Sequence, residues 1–181
     1  MAGGIGRLVL LTLVLLVCPS MNQAQQPIPV ERVVFVCEHG SVKSLIAASY
    51  FNRSAKERGI PFAAVARGIA PDPTVPGVVR AGMNADGLEV SGFVPRLFRP
   101  ADLDGVSLVV SFDQDITSKV GTRVPVLHWD NLPGVLVDYG RGRDAILERV
   151  NELLESLAKG DVQRARGSQP RLPSHAGHPN R

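Results

Sequence analysis

The chain has 181 residues, and its 44% of hydrophobic side chains is ordinary for a globular protein, which excludes disorder of the whole chain. Its formal charge of +3 comes from the C-terminal end, where four arginines and one aspartate follow Gly160. The rest of the chain is close to neutral, so charge gives little support for nucleic-acid binding, and we expect no nucleic-acid partner.

The first predicted element is an N-terminal targeting segment. Residues 8–17 are all apolar except Thr12, they follow Arg7, and small and polar residues come after them, which is the order of a secretory signal. The apolar run is shorter than the about 20 residues that a membrane span needs. We therefore expect residues 1–24 to be a cleaved signal and the protein to be exported, periplasmic or secreted, without a stable membrane span. An uncleaved N-terminal membrane anchor is the alternative.

Removal of that segment would leave Cys37 as the only thiol, because Cys18 lies within it. A single cysteine cannot form an internal disulfide. In an oxidising compartment an unpaired thiol is a liability unless it is buried or used. Two interpretations of Cys37 stay open at this point: a buried structural residue that ends a core strand, or a reactive group.

Strands and helices alternate along the next part of the chain. Four runs rich in β-branched and other apolar residues predict strands, at 32–37, 62–68, 106–112 and 124–129. Periodic segments predict helices at 43–58, at 75–86 and in a last amphipathic helix, whose apolar face contains Ile146, Val150, Leu153, Leu154 and Leu157. This order is typical of an α/β domain, here residues 25–160, with one doubly wound sheet of about four parallel strands. Residues 161–181 lack apolar periodicity and are expected to form a disordered basic tail.

The segment "VVFVCEHGSVKSLIAASYF" places Cys37 where a buried strand ends and shortly before a helix begins. Ligands of open parallel sheets bind beyond the carboxyl ends of the strands. The unpaired backbone N–H groups and the dipole at a helix start favour an anion, and they also favour a thiolate over a thiol. Gly40 and Ser41 allow a tight loop, Lys43 adds a positive charge, and Ser44 can donate a hydrogen bond to the sulfur. Ser44 could equally be the cap of the helix.

This Cys-x5-Lys-Ser pattern resembles the Cys-x5-Arg-Ser phosphate loop of the low-molecular-weight protein tyrosine phosphatases and of the arsenate reductases built on the same fold. The resemblance continues in order through "ARGIAPDPTVPGVVRAGMNADGLEVSGFVPRLF", "LVVSFD" and "HWDNLP…RDAILERVNELL". It implies that Cys37 is a nucleophile that forms a phosphocysteine. It also implies an oxyanion cradle, with substrate-binding residues Glu38, His39, Gly40, Ser41, Val42, Lys43 and Ser44. For His39 we expect the backbone rather than the imidazole to face the anion, with a general-base role as the alternative.

The sequence departs from that family at two catalytic positions. Lys43 replaces the arginine, and a lysine cannot clamp two oxygens with a planar fork. The family's Asp-Pro acid is absent after the fourth predicted strand, and the only Asp-Pro in the chain is Asp72-Pro73, in a different loop. Asp130 is the first candidate for the acid and Asp138 the second, with a turn or cap role as the alternative for Asp130.

The leading functional hypothesis is a phosphatase-type hydrolase, weakened by Lys43, that acts on a phosphorylated protein or a small phosphomonoester. The alternatives are a catalytically impaired module that binds phosphate or another oxyanion, and a single-cysteine arsenate reductase. We expect no cofactor and no metal, because the four histidines have no metal-ligand spacing. Trp129 and Tyr139 are candidates for an aromatic rim of the site, with packing in the core as their alternative.

Overall fold

A computed structural model describes residues 30–122 and 124–160 of the chain. Its centre is a sheet of four parallel strands: β1 (Glu31–Cys37), β2 (Phe62–Gly68), β3 (Val106–Phe112) and β4 (Val126–Trp129). The helices are α1 (Lys43–Arg58), α2 (Gly77–Ala85), α3 (Thr117–Val120) and α4 (Tyr139–Ala158), and a 3-10 turn spans Pro100–Leu103. The predicted α/β fold class, with four parallel strands flanked by helices, is confirmed. The predicted signal segment 1–24 and tail 161–181 lie outside the described residues.

The strand order β2-β1-β3-β4 makes β1 a central strand. The chain leaves β1 toward β2 on one side, and it later returns to β3 on the other side of β1. A reversal of this kind opens a crevice at the carboxyl ends of the two central strands, which is where open α/β sheets bind ligands. Cys37 is the last residue of β1 and therefore lies at this crevice.

Both faces of β1 are covered, which explains why its sequence shows no polar alternation. Val33, Phe35 and Cys37 belong to the larger core cluster, together with residues of α1 and α4. Val34 and Val36 belong to a second cluster on the opposite face. Because the two clusters pack against β1 from both faces, they also hold Cys37, the last residue of β1, in a defined position.

The predicted element boundaries differ from the observed ones near prolines. The second helix begins at Gly77 rather than at 75, with Pro76 as its N-cap residue. The fourth strand begins at Val126 rather than at 124, directly after Pro125. The residue before a proline is disfavoured in the helical conformation, which keeps Val75 out of the second helix. Pro125 has no N–H to donate to a strand ladder, which accounts for the later start of the fourth strand. The four-residue α3 was not predicted.

Among the described residues, no helix combines the length and the apolar character that crossing a bilayer requires.

Candidate functional site

The sulfur of Cys37 lies at the bottom of the loop between β1 and α1. The residue is only 5% exposed, and it is a free cysteine. The backbone N–H of Gly40 donates to Sγ over 3.2 Å, and Sγ also makes a hydrogen bond with Oγ of Ser44 at 3.1 Å. An N–H and a hydroxyl that converge on one sulfur can stabilise a negative charge there. The predicted contact between Ser44 and Cys37 is therefore present in the structure.

Ser44 is not the helix cap that was considered as its alternative role. The N-cap residue of α1 is Val42, which makes no side-chain cap hydrogen bond and is largely buried. The first backbone N–H groups of α1 thus lack a side-chain cap from that residue, and unpaired donors at a helix start are suited to bind an anion.

Two glycines from different parts of the chain bring the loop close to the neighbouring strand. Gly40 has φ = 67°, and a Cβ there would lie 2.7 Å from the backbone nitrogen of Gly68. In turn, a Cβ on Gly68 would lie 2.8 Å from the nitrogen of Gly40 and from the carbonyl carbon of His39. The tight turn at Gly40 was expected from the sequence. The need for a glycine at position 68 was not expected from the sequence, because only the tertiary fold places the end of β2 against this loop.

The chain that follows β2 runs along the loop and hydrogen-bonds to it. The N–H of Ile69 donates to the carbonyl of Cys37 (3.0 Å), and the N–H of Ala70 donates to the carbonyl of Glu38 (2.8 Å). The N–H of Asp72 donates to the carbonyl of His39 over 3.1 Å. These bonds hold the outer side of the loop and leave its helix-side N–H groups for a ligand.

Asp72 contacts two loop side chains that the sequence had assigned to substrate binding. Its carboxylate accepts a hydrogen bond from Oγ of Ser41 at 2.5 Å and lies 3.1 Å from Nδ1 of His39. The hydroxyl of Ser41 is therefore engaged with Asp72. The Asp72-Pro73 dipeptide lies in a different loop from the one expected to carry the acid, as predicted, and it supports the loop between β1 and α1 through these two contacts.

Lys43 is the first residue of α1, and its ammonium group forms an ion pair with the carboxylate of Asp113. Asp113 follows β3 directly and adopts φ = 52°, a left-handed conformation that aspartate tolerates better than most residues. Its other carboxylate oxygen accepts from the N–H of Asn131 at 3.0 Å. Sequence reasoning missed Asp113. The sequence offered one signal for it, its position directly after a predicted strand. That this strand lies beside β1, which carries Cys37, follows only from the fold.

The structure brings Asp130, but not Asp138, into this network. Asp130 is exposed, follows β4, and accepts a hydrogen bond from the backbone N–H of Asp113 at 3.1 Å. Asp138 is the N-cap of α4 and accepts from the N–H of Arg141 at 3.0 Å. Asp130 therefore neighbours the Lys43–Asp113 pair, whereas Asp138 is occupied by a structural contact.

The two predicted rim aromatics have other roles. Trp129 is buried, and its ring packs against those of Phe35 and Phe112, with centroids 5.6 and 5.4 Å apart. The hydroxyl of Tyr139 donates to the carboxylate of Asp86 at 2.8 Å. Both side chains belong to the core and its edge, as their alternative interpretation proposed.

No group of three or more histidine, cysteine, aspartate or glutamate residues arranged to hold a metal ion occurs within residues 30–122 and 124–160. The site thus consists of a sulfur, backbone N–H groups, one ammonium and three nearby carboxylates. Such a set can bind an oxyanion and attack it with sulfur.

Comparison with known proteins gives the site a context. Residues 32–163 match the family described as low molecular weight phosphotyrosine protein phosphatase. An arsenate reductase from Archaeoglobus fulgidus is 30% identical, with 68% of this chain and 98% of that one covered and a TM-score of 0.53. No protein with a curated description matches.

Two more distant structures share the fold alone. A low molecular weight protein tyrosine phosphatase from Bacillus subtilis has a TM-score of 0.62 at 19% identity, with 71% of this chain and 97% of that one covered. A thioredoxin-dependent arsenate reductase from Corynebacterium glutamicum has a TM-score of 0.61 at 19% identity. That match covers 74% of this chain and 64% of the corynebacterial one, so the present chain spans less than two thirds of that relative.

Proposed function

The chain belongs to the low molecular weight phosphotyrosine protein phosphatase family, and on this premise we propose that it hydrolyses phosphomonoesters with Cys37 as the nucleophile. The observation that carries the proposal is the sulfur that accepts from the Gly40 N–H and contacts the Ser44 hydroxyl, at the start of α1. The substrate is the phosphate ester of a tyrosine or of another small hydroxyl compound.

The proposed reaction has two steps. In the first, the thiolate of Cys37 attacks phosphorus, an S–P bond forms, and the P–O bond to the leaving alcohol breaks. Asp130 donates the proton that the departing oxygen needs. In the second, water attacks the phosphocysteine and gives a proton back to Asp130, so that inorganic phosphate and free Cys37 are released.

Loop amides and Lys43 stabilise the charge on the phosphoryl oxygens. Amide donors at a helix start are already oriented toward the anion, and such preorganised donors commonly contribute more to an enzyme's rate than any other single effect. The ammonium of Lys43 contributes one point charge, and its pairing with Asp113 offsets part of that charge. We therefore expect slow turnover compared with a site that holds an arginine fork.

The ion pair between Lys43 and Asp113 also favours a second candidate function, that of an oxyanion-binding module with little turnover. Ground-state binding of phosphate needs mainly amide donors and net charge. The transition state additionally needs its equatorial oxygens held in one plane. A lysine that is paired with a carboxylate adds little net charge and no planar fork, so the amide donors can still bind phosphate in the ground state while the transition state gains little additional stabilisation.

Arsenate reduction is the third candidate, and the match to the Archaeoglobus fulgidus arsenate reductase supports it. Reduction of arsenate to arsenite takes two electrons from two thiols. Cys37 is the one cysteine within the described residues, so the second thiol would have to come from an external thiol compound.

Hydrolysis of phosphotyrosine and of p-nitrophenyl phosphate, measured beside arsenate reduction with glutathione, separates these candidates. We expect release of phosphate by the wild-type protein and its loss in Cys37→Ser. Phosphate binding without release would favour the binding module. Arsenite formation that depends on Cys37, without release of phosphate, would contradict the phosphatase proposal.

A further inference from the structure

The segment that follows β2 orients a peptide unit of the loop between β1 and α1. The N–H of Asp72 donates to the carbonyl of His39, and the N–H of Gly40 donates to the sulfur of Cys37. This carbonyl and the Gly40 N–H belong to one peptide unit, and in a trans peptide they point in opposite directions. The hydrogen bond from Asp72 on the outer side of the loop therefore directs the Gly40 N–H toward the sulfur.

A second peptide unit of the loop is oriented in the same way. The N–H of Ala70 donates to the carbonyl of Glu38 at 2.8 Å. The N–H of the same unit, that of His39, therefore points away from Ala70. Two consecutive N–H groups of the loop thus point away from the segment that holds their carbonyls.

Two prolines limit the conformations of this segment. Asp72 lies between Pro71 and Pro73. A proline fixes its own φ at about −65° and restricts the residue before it to extended conformations, here Ala70 and Asp72. These are the two residues whose N–H groups hold the carbonyls of Glu38 and His39. The donors are therefore in place before a ligand arrives, which is what preorganisation of an oxyanion site requires.

The side chain of Asp72 adds two contacts on either side of Gly40. Ser41 is fully buried, and its hydroxyl donates to one carboxylate oxygen at 2.5 Å, while Nδ1 of His39 lies 3.1 Å from the other oxygen. A negative charge beside an anion site disfavours the anion. The geometry of these hydrogen bonds, rather than the charge, is therefore the means by which Asp72 would favour anion binding.

We propose that Asp72 is a positioning residue of the oxyanion site, which holds the Gly40 N–H on the sulfur of Cys37 through Ser41 and the His39–Gly40 peptide. The proposal rests on the function proposed above, because it assigns this loop to the binding of an oxyanion. Loss of the Asp72 side chain leaves the buried hydroxyl of Ser41 without its acceptor, which costs free energy unless the loop moves. A displaced loop stabilises the thiolate less and binds phosphate less tightly.

The test compares Asp72→Ala with Asp72→Asn. Asparagine keeps an oxygen that accepts from Ser41 and an NH2 that can donate to a neutral imidazole, but it removes the negative charge. The two readings are the pH profile of Cys37 alkylation by iodoacetamide and the Kd of inorganic phosphate from isothermal titration calorimetry. In Asp72→Ala we expect half-maximal alkylation to move up by about one pH unit and phosphate to bind about three- to tenfold more weakly. Asp72→Asn should show neither change and should bind phosphate at least as tightly as the wild type.

Asp104→Ala is the matched control and should leave both readings unchanged. Asp104 is exposed and precedes β3, so it lies at the opposite edge of the sheet from the loop. Ser41→Ala removes the same hydrogen bond from the other side, and it should shift both readings in the same direction as Asp72→Ala. The double variant should then lose no more than the larger of the two single effects, because both remove one shared contact.

Three results would overturn the proposal. Tighter phosphate binding in both Asp72→Ala and Asp72→Asn would show that Asp72 acts through its charge alone. An equal weakening in both would show that hydrogen-bond geometry is not enough. Unchanged readings in Asp72→Ala, or in Ser41→Ala where Asp72→Ala fails to fold, would show that the contact does not act on the site. Neither reading needs turnover, so a wild-type protein that binds phosphate but fails to hydrolyse phosphomonoesters would contradict the phosphatase function alone.

Discussion

At the scale of single residues, the ion pair between Lys43 and Asp113 determines how much positive charge the site offers to an anion. The lysine supplies one positive charge at the start of α1, and Asp113 holds that charge at the end of β3. A lysine ammonium is a compact point charge, whereas an arginine presents a planar fork of donors. The geometry of the charge, rather than its presence, is therefore what distinguishes this loop from that of its family.

We predict that Lys43→Arg raises kcat more than it lowers KM. A fork that holds two equatorial oxygens helps the transition state more than the bound substrate, and one such donor is worth about 10²-fold in rate where the site is otherwise complete. Steady-state kinetics with p-nitrophenyl phosphate measures both constants. Lys43→Ala is the comparison variant, and unchanged anion affinity and turnover in both variants would show that Lys43 has no part in the reaction.

The second prediction concerns Asp113, the ion-pair partner of Lys43. Asp113→Asn should strengthen binding of phosphate or vanadate several-fold, because the amide removes a negative charge that competes for the Lys43 ammonium. Isothermal titration calorimetry at fixed ionic strength measures this affinity. Asp115→Asn is the control, since Asp115 is an exposed residue of the same loop whose carboxylate accepts from the N–H of Thr117. Weaker binding in Asp113→Asn would indicate that Asp113 orients Lys43 toward the anion.

At the scale of elements, the loop keeps its shape because two backbones touch. The end of β2 approaches the loop so closely that neither Gly40 nor Gly68 has room for a methyl group. The end of β2 therefore helps to set the shape of the loop around Cys37, although no side chain of β2 hydrogen-bonds to the sulfur.

Gly68→Ala should therefore disturb the loop, lowering turnover by at least about tenfold and destabilising the protein by about 1–3 kcal/mol, the usual cost of forcing extra volume into a packed position. Its added Cβ meets backbone atoms, which cannot turn aside as a side chain can. Urea denaturation and phosphatase assays provide the two readings. Gly77→Ala is the control, because its Cβ would meet nothing within 4 Å. Wild-type behaviour of Gly68→Ala would refute the close contact.

Asp86 connects three helices. Its carboxylate accepts from the hydroxyls of Tyr50 (2.6 Å) and Tyr139 (2.8 Å) and from Arg143 (2.8 Å). Burial by itself would raise the pKa of Asp86, but the hydrogen bonds from these three side chains together hold that pKa below its ordinary value.

Because the pKa of Asp86 is lower in the folded state than in the unfolded state, the ionised carboxylate stabilises the folded protein at pH values above the unfolded-state pKa. This stabilisation of the fold is lost as the pH falls through the folded-state pKa. We predict that Asp86→Asn lowers the free energy of unfolding at pH 7 by about 2 kcal/mol and flattens its decline below pH 4. Urea unfolding from pH 3 to pH 7 measures both. Asp144 is an exposed partner of the same residue, Arg143, and Asp144→Asn should lower the free energy of unfolding by less. An equal decrease in the two variants would contradict the role given to Asp86.

At the scale of the whole molecule, the sequence allowed the sheet and the thiol to be predicted, but not the contacts between elements. The buried run that ends at Cys37 and the helix that starts at Lys43 are local patterns, and both were predicted from a few neighbouring residues. Asp72 and Asp113 reach the site from other strand ends, 31 and 70 residues from their partners. Their roles follow from the strand order, which local patterns do not fix.

The most direct test of the central claim is to look for the phosphocysteine itself. The protein is mixed with excess phosphotyrosine, quenched during turnover with an alkaline denaturant because the S–P bond hydrolyses in acid, digested, and read by mass spectrometry. We predict one phosphoryl group on the peptide that contains Cys37, absent from Cys37→Ser and lost again when the substrate is exhausted. Release of phosphate by the wild-type protein without any phosphorylated Cys37, or unchanged release by Cys37→Ser, would contradict the claim that this sulfur is the nucleophile.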